Sequence, residues 1–514
     1  MEIAEELKKW VQCLSTAEKR FVKLQGKSRA GSDSQLLGLF DWLNRAEDNE
    51  PVPADAAFVR NLPTLSIRLR TLILDSLRLL RKDDSVDSRL QTMMDEIALM
   101  QSKKLHHAAG RQVRKAKKIA YDHCRYTFLL LLIGKEQEFT RSLPVEQFAD
   151  GLPQLREEEL EVFAKQQRLC ELQFRHDNLL LLARQFPFSL KTEIINRARE
   201  LAEADLVLEC LEEESYLENA LAVNMLGIRD LFIRDPDTAV TRYQLLLRKW
   251  QERPEWQMDQ LPLLLTICNY YQNACIFSPV DHEKARESLA FLKGFDRLPP
   301  QETILLQDLL YNNQFTFALN TGNFDVVRPL IGEIDQWLVK HALQLGENKI
   351  LPFLCNFAVA EFLTGNFSAA KRFITRILNR HNRKVRVDIF DFAIILRAVL
   401  GYQLEENNLD DYLIRSGKRH FSKNKIAVDF GLVVFRHVEE LANAGSSEEK
   451  TEIFGSLLQS LDRFAEKLPG TIPLLGLNEL HMWAEAGYTG VPIREIFDER
   501  VRKNLKFLEQ QEKL

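Results

Sequence analysis

Apolar residues recur along this chain at the three- and four-residue steps of a helix face. Near the start, Leu14-Ser15-Thr16-Ala17-Glu18 contains an S-x-x-E capping box. There the Ser15 hydroxyl can accept from the Glu18 amide, and the Glu18 carboxylate can reach back to the Ser15 amide. Segments 35–45 and 65–80 are apolar at helical spacing, and the loop between them carries Pro51 and Pro53. Residues 1–85 therefore read as a small helical cap.

From residue 86 onward the pattern repeats. Thr321-Gly322-Asn323-Phe324 returns as Thr364-Gly365-Asn366-Phe367, and 364 − 321 = 43. At the same offset Val326 and Val327 match Ala369 and Ala370, and Leu330, Ile331 and Ile334 match Phe373, Ile374 and Ile377. These positions step along one helix face. With Ala370 as anchor, apolar residues lie four and seven residues on, at Ile374 and Ile377. The same triplet stands at Ala285, Leu289 and Leu292, at Ala239, Tyr243 and Leu246, and upstream at Ala109, Val113 and Ala116. The anchors 239, 285, 327 and 370 follow one another at 46, 42 and 43 residues, while 109 to 239 spans 130, about three periods. Each period has room for one apolar helix, a short turn and a second helix starting just before the anchor. A lone pair cannot bury its stripe, so pairs must stack on their neighbours. A small anchor lets the two helices approach, and a large one would overpack by ~1–3 kcal/mol.

The predicted fold is all-α: an α-α superhelix, or solenoid, of stacked helix pairs with a period of about 43 residues and helical caps. Residues 86–400 are the repeats and 401–514 the C-terminal cap. In that cap Asn408-Leu409-Asp410-Asp411-Tyr412 starts a last degenerate copy. Stretches 421–444, 449–468 and 492–508 read as helical, with loops at Gly445-Ser446-Ser447 and Leu468-Pro469-Gly470.

Composition agrees. The 514 residues exceed a single compact core. Glycine (21) and proline (17) are scarce, where average usage would give about 36 and 26, so turns are few and elements long. Net charge is −5, which argues against a general nucleic-acid binder. The seven cysteines, at 13, 124, 170, 210, 268, 275 and 355, form no C-x-x-C, and they read as thiols of a reducing compartment. The opening MEIAEELKKW lacks the basic and apolar segments of a signal peptide. The longest apolar run, 128–133, is far too short to span a bilayer. The expectation is a cytoplasmic protein with no membrane partner.

Gly365-Asn366-Phe367 with Ala370 three residues on is similar to the turn of tetratricopeptide repeats, where Gly-x-Tyr/Phe-x-x-Ala joins helix A to helix B. The Gly322 copy has Val327 in place of alanine, and the upstream copies lack the glycine. The period exceeds that family's usual length of about 34, and helix A has no tryptophan-leucine-glycine signature. The chain thus resembles a divergent tetratricopeptide-like protein. Its opening Leu14-Ser15-Thr16-Ala17-Glu18-Lys19-Arg20 and its central Lys115-Ala116-Lys117-Lys118-Ile119-Ala120 also resemble a group of uncharacterised bacterial helical-repeat proteins. That resemblance implies a fold and no activity.

Catalytic and cofactor motifs are not found. Gly26-Lys27-Ser28 has Phe21 where a P-loop needs its first glycine, and no strand precedes it. His106, His107 and His123 lack metal-ligand spacing. Cys268 and Cys275, seven apart, share a helix face and read as buried thiols. Acidic runs 157–159 and 212–214 fan around a helix as solvated faces. No cofactor and no enzymatic activity are expected.

Two features could bind a partner. Basic run 103–118 holds Lys103, Lys104, Arg111, Arg114, Lys115, Lys117 and Lys118 with no acid. Run 371–386 holds Lys371, Arg372, Arg376, Arg380, Arg383, Lys384 and Arg386, again with no acid. Arg111, Lys115, Lys118, Arg372, Arg376 and Lys384 are the candidate polyanion contacts; the plain alternative is a solvated outer face. The other feature is amide-rich first helices: Asn269 with Asn273, Asn312 with Asn313, and Asn356. Asn269, Asn313 and Asn356 could bond a peptide backbone from a concave groove, or satisfy buried backbone instead. The sequence reading is a non-enzymatic scaffold for an unidentified protein or peptide. The alternatives are a nucleic-acid-associated repeat protein using the basic runs, and an enzyme whose site only folding assembles.

Overall fold

The computed structural model describes residues 2–511 except 31–33, 47–52, 54, 82–84, 142–144, 187–191, 212–214, 278–281, 296–297, 299, 343, 381–384, 406–412, 424–427 and 467–474. Pro51, the acidic run 212–214, the degenerate copy at 408–412 and the loop 468–470 lie outside the described residues. Among the described residues the protein is all-helical and has no strand. No helix is long and apolar enough to cross a membrane. The chain divides into two compact units, Met1–Arg168 and Leu169–Leu514, a division inside the segment read as repeats.

The first unit opens with α1 (Glu2–Cys13), α2 (Thr16–Ala30), α3 (Ser34–Arg45) and α4 (Leu62–Leu80), which enclose a core including Val11, Val22, Leu39, Phe40, Leu43, Leu69 and Ile73. The capping box forms as read. The Ser15 amide donates to Glu18 Oε2 at 2.8 Å, and the Glu18 amide to Ser15 Oγ at 3.3 Å. Burial pushes the Glu18 carboxyl up, but the Ser15 bonds and the Arg81 guanidinium at 2.6 Å outweigh it and lower its pKa. Next come α5 (Val86–Ser102), α6 (His106–Asp122) and α7 (Tyr126–Thr140), with α6 packed on α5 and α7 on α6. The following helix, α8 (Val145–Gln185), runs 41 residues and crosses the division between the units. So long an uninterrupted helix means that the interval from 109 to 239 is not built from regular 43-residue pairs.

The second unit begins with α9 (Thr192–Ala202) and α10 (Asp205–Glu209) and continues in pairs. These are α11 (Tyr216–Phe232) with α12 (Pro236–Gln251), then, after the short α13 (Pro254–Asp259), α14 (Leu261–Phe277) with α15 (His282–Lys293). There follow α16 (Pro300–Asn320) with α17 (Phe324–Lys340), α18 (Glu347–Leu363) with α19 (Phe367–Leu378), and α20 (Val387–Gln403) with α21 (Ile414–Lys423). Within each pair the helices touch; each first helix also touches the next first helix, and each second helix touches the first helix of the following pair. The anchored triplets supply the contact. Ala239, Tyr243 and Leu246, Val327, Ile331 and Ile334, and Ala370, Ile374 and Ile377 are all buried, as are Ala109, Val113 and Ala116 in the first unit. In α15, Leu292 is buried and Leu289 half-buried.

One turn recurs at these pairs. Gly322 and Gly365 adopt left-handed backbone, φ +69° and +75°. The next amide, of Asn323 or Asn366, then bonds the carbonyl five residues before it, Ala318 or Glu361, at 2.8 Å. This is the Schellman ending, which glycine makes without strain. Lys104 (φ 58°), Cys124 (φ 54°) and Arg234 (φ 65°) make the same turn without glycine, and the following amides bond Met100, Ala120 and Asp230 at 2.8–2.9 Å. Lys104, Arg234, Gly322 and Gly365 each precede their anchors Ala109, Ala239, Val327 and Ala370 by five residues. A Cβ on Gly365 would meet nothing within 4 Å, so Gly365→Ala isolates the backbone term. It is expected to cost about 1 kcal/mol in urea unfolding, with Gly365→Asn costing clearly less. Equal costs for the two would contradict the left-handed turn.

The chain closes with α22 (Val428–Asn443), α23 (Ser447–Glu466), α24 (Leu477–Thr489) and α25 (Ile493–Gln511). Stretch 421–444 is thus two helices rather than one, and α24 was not legible from spacing. One continuous core runs from Tyr311 to Phe497. Helix α25 returns to α18 and to the turn before α17, where Arg494 Nη2 approaches the Gly322 carbonyl at 3.5 Å.

Candidate interaction surface

Helix α6 owes its orientation to small residues. Ala109, Val113, Ala116 and Ala120, at steps of four, three and four, are fully buried and hold one side against its neighbours. At 100° per residue the opposite side carries Arg111, Arg114, Lys115 and Lys118. All four are exposed, and none forms an ion pair with a described residue. From 111 to 118 they span about 10 Å of helix. Lys103 and Lys104 are exposed just before the helix. Lys117 differs: it lies to the side, 13% exposed, and its Nζ reaches Glu136 at 2.6 Å and Glu158 at 2.7 Å. It fastens α6 to α7 and α8.

The second basic run is arranged otherwise. Arg376 on α19 makes two bonds to Asp335 on α17, 2.9 and 2.7 Å, and lies 5.7 Å from the Phe373 ring centre. Arg380 pairs with Glu347 at 3.0 Å, and Arg386 makes two bonds to Asp388 at 2.9 and 2.7 Å. Arg376 ties α19 to α17, Arg380 just after α19 reaches α18, and Arg386 pairs within the start of α20. Arg372 is exposed and forms no ion pair with a described residue; Arg383 and Lys384 lie outside the described residues.

The three asparagines do not share one environment. Asn313 is 2% exposed and donates its amide to the Leu309 carbonyl one turn back, at 2.8 Å; its Oδ1 has no partner among the described residues. Asn269 on α14 and Asn356 on α18 are half-buried. The 43-residue offset that aligns Asn313 with Asn356 thus aligns their helices but not their exposure.

Spacing gave no hint of two polar networks. Buried His176 accepts from Asn224 Nδ2 at Nε2, 2.8 Å away, and Asn224 Oδ1 accepts from the Tyr243 hydroxyl at 3.1 Å. Between α23, α24 and α25 a cleft of about 480 Å³ is lined by Asp462, His481, Glu485, Tyr488 and Arg500. Arg500 can only donate, so its 2.7 Å contact makes His481 Nδ1 an acceptor, and Nε2 then donates to Asp462 at 2.9 Å. Both ring nitrogens are thereby engaged. The partners lie 19 residues away on other helices, a separation with no local signature. Cys268 and Cys275 are buried as read, and burial pushes the Cys268 thiol up to about 12. Among the described residues no group of three or more His, Cys, Asp or Glu is placed to hold a metal ion. No protein-family model, no curated protein and no solved structure matches the chain.

Proposed function

We propose that the chain is a non-enzymatic interaction scaffold of tetratricopeptide-like stacked helix pairs, a solenoid, that holds an acidic protein segment on the outward side of α6. The observation that carries this reading is the contrast between the two basic runs. Arg376, Arg380 and Arg386 are consumed by carboxylates of the fold. Arg111, Arg114, Lys115 and Lys118 stand in a row and form no ion pair with a described residue. Unpaired like charges on one helix side repel one another, and an acidic partner relieves that repulsion.

An acidic peptide suits the face better than nucleic acid does. The row is short, the whole chain carries net charge −5, and residues 103–118 include no Phe, Tyr or Trp on which bases could stack. The test is retention of the full chain by an immobilised glutamate-rich peptide and by single-stranded RNA. Reversing Arg111, Lys115 and Lys118 to glutamate is expected to weaken peptide binding at least tenfold, with the melting temperature unchanged. Retention of the reversed chain at the native level would overturn the reading; preferential retention of the native chain by RNA would replace the acidic segment with a nucleic acid. By contrast, Arg376→Glu is expected to cost about 1–3 kcal/mol in stability, since it leaves Asp335 facing a like charge.

A further inference from the structure

The second unit contains the sequence Thr-Gly-Asn-Phe in this turn twice, and among the described residues only the first copy is covered. Thr321-Gly322-Asn323-Phe324 and Thr364-Gly365-Asn366-Phe367 match in sequence, in left-handed glycine and in hydrogen bonds. Both threonine hydroxyls donate to the carbonyl four residues back, Phe317 at 2.8 Å and Ala360 at 3.2 Å. The first copy lies under α25. The Arg494 guanidinium stands 3.7 Å from the Phe324 ring centre, and Phe497 meets that ring edge-on at 5.6 Å. A Cβ on Gly322 would touch Val501 at 3.6 Å and Phe497 and Asp498 at 3.7 Å. Helix α25 therefore reads the turn with arginine, phenylalanine and valine at positions 494, 497 and 501, one side of a helix.

Among the described residues the second copy is open: Gly365 and Asn366 are exposed, and a Cβ on Gly365 would meet no described atom within 4 Å. Phe367 is part-exposed and touches one ring, Phe362, at 5.6 Å. The copies differ in one useful respect. Glu361 stands where the first copy has Ala318, and its carboxylate accepts from the Asn366 side-chain Nδ2 at 2.8 Å. An arginine laid over Phe367 would meet both a ring face and a carboxylate.

The geometry points to the turn 364–367 as a docking site for a helix of a partner protein that presents arginine, phenylalanine and valine at the spacing of α25. The covered copy shows the chemistry that fits, and Glu361 adds attraction for the arginine. This site lies in the second unit and does not depend on the reading of α6.

The test uses the full chain and a labelled synthetic peptide of residues 492–511, followed by fluorescence anisotropy. Saturable binding is expected, weakened at least tenfold by Phe367→Ala in the chain, and likewise when the peptide's Arg494 is replaced by alanine. A second chain variant, Gly365→Lys, keeps the test independent of core loss. Lys104 adopts φ 58° in the equivalent turn before α6, so a lysine side chain is compatible with this backbone shape, while its charge and bulk would block the site. Circular dichroism near that of the native chain verifies folding. No binding, or binding insensitive to both chain variants, would overturn the proposal. Binding lost with Phe324→Ala instead would show displacement of the chain's own α25. Self-association of the native chain that Gly365→Lys abolishes would assign the site to a second copy and overturn the partner assignment.

Discussion

Replacing Gly227 by alanine is expected to destabilise the second unit by roughly 3 kcal/mol, the upper end of what overpacking costs. Helix α11 is buried along nearly its whole length, and the Tyr243 ring lies directly on Gly227. A Cβ there would stand 2.3, 2.5 and 2.6 Å from three atoms of the Tyr243 side chain. The ring has nowhere to go. Tyr243 is fully buried, its hydroxyl bonds Asn224, and Asn224 is held in turn by His176. This tyrosine belongs to the triplet at Ala239, where the other copies carry valine, leucine or isoleucine, so Gly227 is the small residue that accommodates the larger ring. Urea unfolding of Gly227→Ala, Tyr243→Leu and the double variant would test this. The two changes should be strongly non-additive, because removing the ring removes the clash. A cost below about 1 kcal/mol, or additive costs, would contradict the packing.

The second large effect is a pH dependence. Burial drives the His176 pKa down from 6.5 to about 4, with Asp177 opposing and Arg184 assisting. The geometry agrees, because Nε2 accepts from Asn224 and must stay unprotonated to do so. The unfolded chain takes up this proton near pH 6.5; the folded chain does not until about 4. Stability from this group is therefore complete above about pH 6.5 and is lost as pH falls towards 4, by about 3 kcal/mol in all. His176→Gln is expected to flatten the fall between pH 6.5 and 4 relative to the native chain. Buried Asp230 and Asp308, whose carboxyls burial pushes up, act in the opposite direction, but they are common to both proteins and cancel in the difference. Parallel pH profiles would refute the role of His176.

The helical class and the anchored triplets were legible because burial imposes period on sequence. Ala370, Ile374 and Ile377 could be read as one face before any helix was placed. The turns were legible only where glycine marks them. At Lys104, Cys124 and Arg234 tertiary packing holds a left-handed residue that local preference does not announce. Charge was legible, and its pairing was not. Arg376 and Asp335 are 41 residues apart, on second helices of successive pairs, so nothing near Arg376 in the chain reveals that its charge is spent. The burial of Asn313 and the return of α25 to Gly322 across 172 residues are likewise products of three-dimensional packing.

The proposed acidic partner would lie on the outward side of α6. Lysine acetylation of the full chain, read by mass spectrometry with and without the glutamate-rich peptide, tests this placement most directly. In the free chain Lys115 and Lys118 should react quickly and Lys117, held by Glu136 and Glu158, slowly. Bound peptide should slow Lys115 and Lys118 several-fold and leave exposed lysines of the second unit, such as Lys293, unchanged. Undiminished labelling of Lys115 and Lys118 at saturating peptide would contradict the account.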